Sequence, residues 1–194
     1  KAAGHHPGAE APGHSRERPA GGGAPVPMDD RLAIIQEISL ALNSTLDPAL
    51  LMERIIDASI RYTGATTGSV ILVQPDRTLR IMAARGLGAN VGEEVRLKIG
   101  EGITGWVAQQ GKPLSVPDVR ADKRYVCVKE HIRSELAVPM VLDRKVIGVI
   151  SVDSTRIANF SEGDLQLLSI VGTQAAQILE NAKAFADLRR KTEQ

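Results

Sequence analysis

The chain contains only one cysteine, Cys127, in 194 residues. A single thiol excludes an internal disulfide framework and is typical of a reducing cytoplasm. The apolar runs fall well short of the roughly 20 residues that a membrane-spanning helix needs, and no signal-peptide pattern follows Lys1. Positive and negative side chains nearly balance, with 24 Lys and Arg against 23 Asp and Glu, and no basic block stands out. We therefore expect a cytoplasmic protein with no direct nucleic-acid partner and no membrane partner.

The composition changes near residue 28, and this change divides the chain. Residues 1–28 are dominated by Gly, Ala, Pro and His and contain almost no residue able to build a core. They are predicted to be a disordered linker or an artificial addition, and their histidines are not expected to bind metal because they lack a rigid frame. A linker at this place suggests another module upstream. The other predicted divisions are an N-terminal signalling helix at 29–45, a globular domain at 46–183 and a C-terminal helix extension at 184–194.

Apolar periodicity predicts antiparallel strands framed by helices, which is an α+β arrangement. Helical spacing and caps predict helices at 29–43, 48–63, 103–110 and 161–190. Strand-like runs occur at 69–73, 79–84, 95–99, 114–116, 135–142 and 146–152. In the second of these strands we expect Leu79, Ile81 and Ala83 on one face, because side chains alternate along a strand.

The last predicted helix is the longest and carries a heptad pattern. It opens on Ser161 and Asp164, a spacing typical of a capping box. Its apolar seam, with alternating steps of three and four residues, comprises Leu168, Val171, Ala175, Ile178, Ala182 and Phe185. Such a seam fits either a helix buried in its own domain or a helix paired with a second chain. We favour pairing, because the helix continues past the domain into a charged end at 188–191.

A G-x-G-x-x-G motif at residues 100–105 suggests a dinucleotide-binding turn, with Asp118 or Asp122 placed to meet a ribose. The preceding run at 95–99 alternates apolar and charged residues, whereas the first strand of a dinucleotide fold is apolar on both faces. The helix at 103–110 is also too short for a strand–helix–strand crossover. We therefore interpret the glycines as a tight strand-to-helix turn that uses positive φ angles.

Several blocks in a consistent order resemble a GAF domain over roughly residues 46–183. The blocks are Leu46-Asp47 with Leu50-Leu51, Gly64-Ala65 with Gly68-Ser69-Val70, Gly100-x-Gly102-Ile103-Thr104-Gly105-Trp106-Val107-Ala108 with Gly111-Lys112-Pro113 and Pro117-Asp118-Val119, Ser134-Glu135-Leu136-Ala137-Val138-Pro139, Val146-Ile147-Gly148-Val149-Ile150, and Phe160-Ser161-x-x-Asp164. The resemblance implies a GAF-like, PAS-related central antiparallel β-sheet with N- and C-terminal helices on one face. It also implies a small-molecule pocket on the other face, here roofed by residues 117–133, and frequent dimerisation.

The resemblance places the candidate ligand-binding residues in and beside this roof. They are Asp118, Asp122, Arg124, Tyr125, Cys127, His131, Arg133 and Glu135. Arg124 and Arg133 offer forked donors for a carboxylate or phosphate, or else form salt bridges with nearby aspartates. Tyr125 offers a ring for stacking. We expect no catalytic residue, no metal and no cofactor.

Other branches of the family match less completely. One branch reduces free methionine sulfoxide and needs a resolving thiol beside its nucleophile, but Cys127 is alone. Bilin-binding relatives use a Cys-His pair, whereas Val128 follows Cys127, and haem or iron would rest on His131 without a second histidine. Cyclic-nucleotide binders carry an acidic pair after a Phe; Phe160 and Asp164 fit that pattern, but Leu165 replaces its Glu. A cyclic nucleotide therefore stays open as a ligand with an incomplete motif.

These observations predict a non-catalytic sensory GAF domain of a bacterial signalling or transcription-regulating protein. It would bind an unidentified small molecule and signal through its terminal helices, as a homodimer, to an output module. Two alternatives remain open. One is a degenerate GAF domain that only dimerises, and the other is a cysteine-dependent enzyme similar to methionine sulfoxide reductases.

Overall fold

The computed structural model describes residues 28–88, 96–126 and 130–192, with side chains described from residue 32 onward in these ranges. The segment predicted as a linker lies outside the described residues except for Met28, and so does Cys127. The elements, in chain order, are α1 (Met28–Leu42), α2 (Pro48–Thr63), β1 (Thr67–Val73), β2 (Thr78–Arg85), β3 (Arg96–Lys98), α3 (Gly102–Gln110), β4 (Leu114–Val116), a 3-10 turn (Val119–Ala121), β5 (Ser134–Leu142), β6 (Lys145–Ser154) and α4 (Glu162–Thr192).

The strands form one antiparallel sheet in the order β3-β2-β1-β6-β5-β4, which confirms the predicted α+β fold. Helices α1, α2 and α4 pack on one face of the sheet, and their shared apolar cluster is called here the helix-face core. Helix α3 and the described residues of the segment 117–133 cover part of the other face, where a second cluster forms the cavity-face core. None of the described helices combines the length and hydropathy needed to cross a bilayer.

The ends of the helices follow the predicted cap chemistry. Asp47 accepts a hydrogen bond from the Ala49 backbone N–H at 2.9 Å, and Gly64 ends α2 with φ +64°. At the start of α4 the Ser161 backbone N–H donates to the Asp164 carboxylate at 2.8 Å, and the Asp164 N–H donates to the Ser161 hydroxyl at 3.2 Å. This reciprocal pair confirms the predicted capping box, since it satisfies two donors that the helix itself leaves unpaired.

Strand β2 departs from the predicted alternation of its side chains. Leu79 and Ile81 belong to the cavity-face core, as expected, but Ala83 packs against the helix-face core. The register between β1 and β2 shifts where Val70 pairs with Ala83 and Ile71 pairs with Ile81. The extra residue of this bulge reverses the facing of the strand beyond it. The prediction that Leu79, Ile81 and Ala83 share one face is therefore wrong.

The heptad seam of α4 also has a different partner from the one predicted. Leu168, Val171, Ala175 and Ala182 are at most 2% exposed and belong to the helix-face core of their own domain. Phe185, the last seam position, is 47% exposed. The seam as far as Ala182 is thus buried against the sheet and α1–α2, so it is not free to pair with a second chain. A buried helix and a coiled-coil helix share this periodicity, which is why the pattern did not separate them.

The glycines at 100–105 form the tight turn that we predicted. Gly100 and Gly102 have φ angles of +92° and +71°, in the region that side-chain-bearing residues rarely adopt. The Gly100 N–H donates to the Gly105 carbonyl at 2.8 Å, which folds the turn back onto the first turn of α3. A Cβ atom on Gly105 would lie 2.6 Å from the Lys98 carbonyl oxygen. The motif therefore serves a close backbone approach between β3 and α3.

Replacing Gly105 by Ala is expected to lower the free energy of unfolding by about 1–3 kcal/mol, the range for overpacking a close contact. The added methyl group would overlap a backbone oxygen, which has no rotamer to escape into. Urea denaturation measures the change. Gly64→Ala is the control, because a Cβ there meets nothing within 4 Å and only the positive φ is penalised. Equal losses in the two variants would contradict the close-approach role of Gly105.

Candidate functional site

A partly open cavity lies between the sheet and its roof, on the face opposite the terminal helices. The empty space in it is about 650 Å³, a figure that includes open solvent at its mouth. Its walls are mainly apolar: Ile71, Leu79, Ile81, Leu97, Ile103 and Ile132. A few polar side chains also line it: Ser69, Thr104, Tyr125, Glu135, Ser151 and Asp153. An apolar body with a few convergent polar groups is the usual composition of a ligand site.

The polar floor is built by strand register. Antiparallel pairing places Glu135 of β5 opposite Asp153 of β6, and Asp153 opposite Thr67 of β1. The Thr67 hydroxyl donates to the Asp153 carboxylate at 3.1 Å. One row further along, the Ser151 hydroxyl donates to Glu135 Oε1 at 2.9 Å. The floor therefore holds two carboxylates side by side, supported by neutral hydroxyl donors.

Both floor carboxylates are harder to ionise than in water. Burial raises the pKa of Asp153 to about 7, and the hydrogen bond from Thr67 offsets only part of this rise. Burial also raises the pKa of Glu135 well above its usual range, and the neighbouring charge of Asp153 adds to the effect. Removal from water penalises a charge, and a second like charge nearby penalises it again. The pair therefore retains a proton to a higher pH than exposed acids do.

Two ion pairs organise the roof over the cavity. Arg124 donates from Nε and Nη2 to the two carboxylate oxygens of Asp122, at 2.9 and 2.6 Å, and its guanidinium lies 5.1 Å from the Trp106 ring centre. Arg133 donates to Asp118 at 3.2 Å. The hydrogen bonds from Arg124 and Arg133 lower the pKa values of Asp122 and Asp118, respectively. Both aspartates thus stay ionised, and their ion pairs link residues within the roof segment.

The structure places the predicted site residues in different surroundings. Tyr125 and Glu135 line the cavity. Asp118, Asp122, Arg124 and Arg133 form the two roof ion pairs, so neither arginine is among the cavity-lining side chains. His131 is exposed to solvent, and Cys127 lies outside the described residues. Among the described residues no group of three or more His, Cys, Asp and Glu is placed to hold a metal ion.

Sequence reasoning missed most of the floor. Asp153, Ser151 and Ser69 line the cavity but were not predicted as site residues. Ser151 and Asp153 alternate with apolar residues near the end of β6, a polar interruption that could have signalled a wet or functional face. The pairing of Asp153 with Glu135 needs the sheet register, which a bulge between Met140 and Val141 shifts by one residue.

Comparisons with known proteins agree with this architecture. A family model described as GAF domain matches residues 45–180. The Nif-specific regulatory protein of Azospirillum brasilense is 28% identical over 173 residues, which cover 82% of this chain and 27% of that protein. The chain therefore spans about a quarter of that regulator.

Two solved structures share the fold. The GAF domain of an Acinetobacter phosphoenolpyruvate-protein phosphotransferase superposes with a TM-score of 0.74 at 23% identity, covering 80% of this chain and 96% of that one. The free methionine-R-sulfoxide reductase of Neisseria meningitidis, in complex with its substrate, gives a TM-score of 0.72 at 22% identity, covering 79% and 90%. At these identities the likeness establishes the fold alone. With the family match over most of the chain and the sheet, helices and roof in place, this chain belongs to the GAF domain family.

Proposed function

We propose that this chain is a non-catalytic sensory domain that binds a small molecule in the cavity. Binding would change the packing of the roof on the sheet, and α1 and α4 would pass the change to an output module. The single observation that carries the proposal is the partly open apolar cavity with a polar floor, on the sheet face opposite the terminal helices. The resemblance to a Nif-specific regulatory protein supports a regulatory setting. Of the predicted site residues, Tyr125 and Glu135 line the cavity and would touch the ligand.

The sheet provides a physical route from the cavity to the helices. Side chains alternate between faces, so the cavity residues Glu135 and Ser151 are followed along their strands by Leu136 and Val152 of the helix-face core. Helix α4 approaches β5 so closely that a Cβ on Gly172 would lie 2.9 Å from the Pro139 carbonyl oxygen. A shift of β5 or β6 on ligand binding would therefore be felt by α4. Ligand binding can bias this equilibrium only by its difference in affinity for the two arrangements.

A homodimer through the terminal helices is part of the proposal, but the surface differs from the predicted seam. Exposed apolar residues occur on α1 and α4: Leu32, Leu40, Ile170, Phe185 and Leu188. A second copy that packed on these helices would bury some of this apolar surface. Helices α1 and α4 are packed together, and the Ser39 hydroxyl donates to Gln174 Oε1 at 3.0 Å.

Sensing is better supported than the two alternatives. A domain that only dimerises would be expected to fill its pocket with its own side chains, yet the cavity persists although Tyr125 and Ile132 line it. The reductase alternative needs a second thiol to resolve the oxidised cysteine, and Cys127 is the only cysteine of the sequence.

Blocking the cavity should abolish ligand-induced stabilisation. Ile81 lines the cavity, and Ile81→Trp would place an indole in the space that a ligand needs. A compound found by screening amino acids, amines, nucleotides and small carboxylates should stabilise the unaltered chain by about 2.7 kcal/mol at 100 times its Kd. The same compound should leave Ile81→Trp unchanged. Thermal denaturation measures the effect, and native mass spectrometry reports the dimer and any retained ligand.

The neighbouring residue supplies the control for this test. Met82 is 41% exposed and does not line the cavity, so Met82→Trp should respond to the compound like the unaltered chain. If no compound of the screen raises the melting temperature, the sensory proposal fails. An equal response of both tryptophan variants would place the ligand outside the cavity.

A further inference from the structure

The cavity floor holds two acids with no cation beside them. Glu135 is only 6% exposed, and Asp153 is half-buried next to it. Among the described residues neither carboxylate forms an ion pair with Lys or Arg. Arg124, on the roof, is already held by Asp122 and stacked on Trp106. Burying two acids in this way is costly unless something pairs with them.

The other titratable or charged groups around the floor do not supply that partner. The cavity-lining residues from β1, β2, β3 and α3 are uncharged. The roof contributes Tyr125 to the lining, and Asp122 adds a further negative charge that disfavours ionisation of Glu135. When its acids are ionised, the floor therefore opposes a carboxylate or phosphate group and attracts a positive one.

Two further side chains that carry a hydroxyl group line the same cavity. Ser69 is 4% exposed and Thr104 is 8% exposed, and both line the cavity. Ser69 lies directly opposite Ser151 in the β1–β6 register, next to the row that holds Asp153. A hydroxyl oxygen accepts hydrogen bonds, so both side chains can accept from a ligand with polar hydrogens.

We propose that the cavity recognises a protonated primary amine carried on a compact apolar body. The ammonium group would sit between Glu135 and Asp153, and its third N–H would reach a hydroxyl of Ser69 or Thr104. An ammonium group has three donors and no acceptor, which matches a floor of two carboxylates with hydroxyl oxygens beside them. The apolar body would lie against Ile71, Ile81 and Ile103. This inference rests on the proposed function and names the ligand class of the same site.

The direct test uses calorimetry with matched probes on the full chain. Isoamylamine and phenethylamine present an ammonium group on a small apolar body, whereas isoamyl alcohol, phenethyl alcohol, isovalerate and phenylacetate present a neutral or negative group on similar bodies. The amines should bind at least about tenfold more tightly than their counterparts, since only the amines pair with the carboxylates. Binding of an amine should also be about tenfold tighter at pH 8 than at pH 6, because the floor must release its proton.

Conservative variants locate the binding groups. Glu135→Gln and Asp153→Asn keep the side-chain shapes and should each weaken amine binding at least about tenfold. Glu130→Gln is the matched control, because Glu130 is an exposed carboxylate on the roof segment, and it should bind like the unaltered chain. Urea denaturation of each variant verifies that it folds. Unchanged amine binding in both floor variants would overturn the proposal.

The remaining outcomes separate this inference from the sensory function. If the alcohols or carboxylates bind as tightly as the amines and Ile81→Trp blocks them, the ammonium assignment fails and the sensory domain stands. If magnesium or calcium alone gives the stabilisation that the floor variants lose, the floor is a metal site and the assignment fails. If neither amines nor any other compound binds, both proposals fail.

Discussion

Replacing Glu135 by Gln together with Asp153 by Asn is expected to raise the free energy of unfolding at pH 8 by about 2–4 kcal/mol. At pH 4 the double variant should differ little from the unaltered chain. The two substitutions remove the only cost that the buried carboxylates impose at high pH, which is their ionisation in a poorly solvated site. Urea denaturation between pH 4 and pH 8.5 measures the difference.

The sign follows from proton binding. The pKa of Asp153 is raised from 3.8 to about 7 in the folded chain, and that of Glu135 is raised as well. Between about pH 4 and pH 7 the folded state therefore binds more protons than the unfolded state, so stability falls as the pH rises through this window. Each pKa unit corresponds to about 1.4 kcal/mol, which makes about 4 kcal/mol the ceiling for Asp153 alone. The amides do not titrate, so the decline should be absent from the double variant.

Asp122 provides a control, because its contribution to stability changes with pH in the opposite direction. The hydrogen bond from Arg124 lowers its pKa, so its contribution is present at neutral pH and is lost as the pH falls through the folded-state value. Asp122→Asn should therefore destabilise the chain at pH 7, by about 1 kcal/mol or less for a partly exposed pair. The difference should vanish in acid. A double floor variant that is no more stable than the unaltered chain at pH 8 would show that the floor is well solvated.

Truncating Leu168 to Ala is expected to lower the free energy of unfolding by about 2–5 kcal/mol. Leu168 is fully buried in the helix-face core, and removing its side chain deletes apolar contacts and leaves a cavity. Because the contacts lie within one chain, the loss should be the same at low and high protein concentration. Urea denaturation at two concentrations tests both statements.

Ile170 lies two residues away on the same helix and is 38% exposed. Ile170→Ala should cost about 1 kcal/mol or less, as is usual for partly exposed positions. If the effect of Leu168→Ala depended on protein concentration and the dimer were lost, the seam would lie at a subunit interface. That outcome would restore the coiled-coil interpretation of the heptad pattern.

Local chemistry made the secondary structure predictable. Asp47 with Pro48 and Gly64 marked both ends of α2, and Ser161 with Asp164 marked the start of α4. Each of these capping signals depends on residues only a few positions apart, so it does not depend on how the rest of the chain packs. The family blocks added a central antiparallel sheet with the terminal helices on one face and a roof on the other. The structural role of the glycine motif was also predictable. The strand before it alternates apolar and charged residues, which excludes the dinucleotide fold, whose first strand is apolar on both faces.

The floor of the cavity could not be predicted in the same way. Counting back from the turn at Asp143 and Arg144 would place Glu135 opposite Val152, but the bulge at Met140 and Val141 places it opposite Asp153. A single added residue in a strand changes which side chains meet, and no local pattern marks it. The sequence left two interpretations for Arg124 and Arg133, which were anion binding and salt bridges with nearby aspartates. Spatial packing decided for the salt bridges.

The sequence by itself determined the helices, the turns, the α+β class and the family, because each depends on short-range spacing or on blocks preserved in order. Only the tertiary structure decided three further points: the facing of Ala83, the burial of the α4 seam in its own domain, and the meeting of Glu135 with Asp153. Each of these depends on which surfaces the folded chain brings together. Apolar periodicity shows that a face is buried, but only packing shows what covers it.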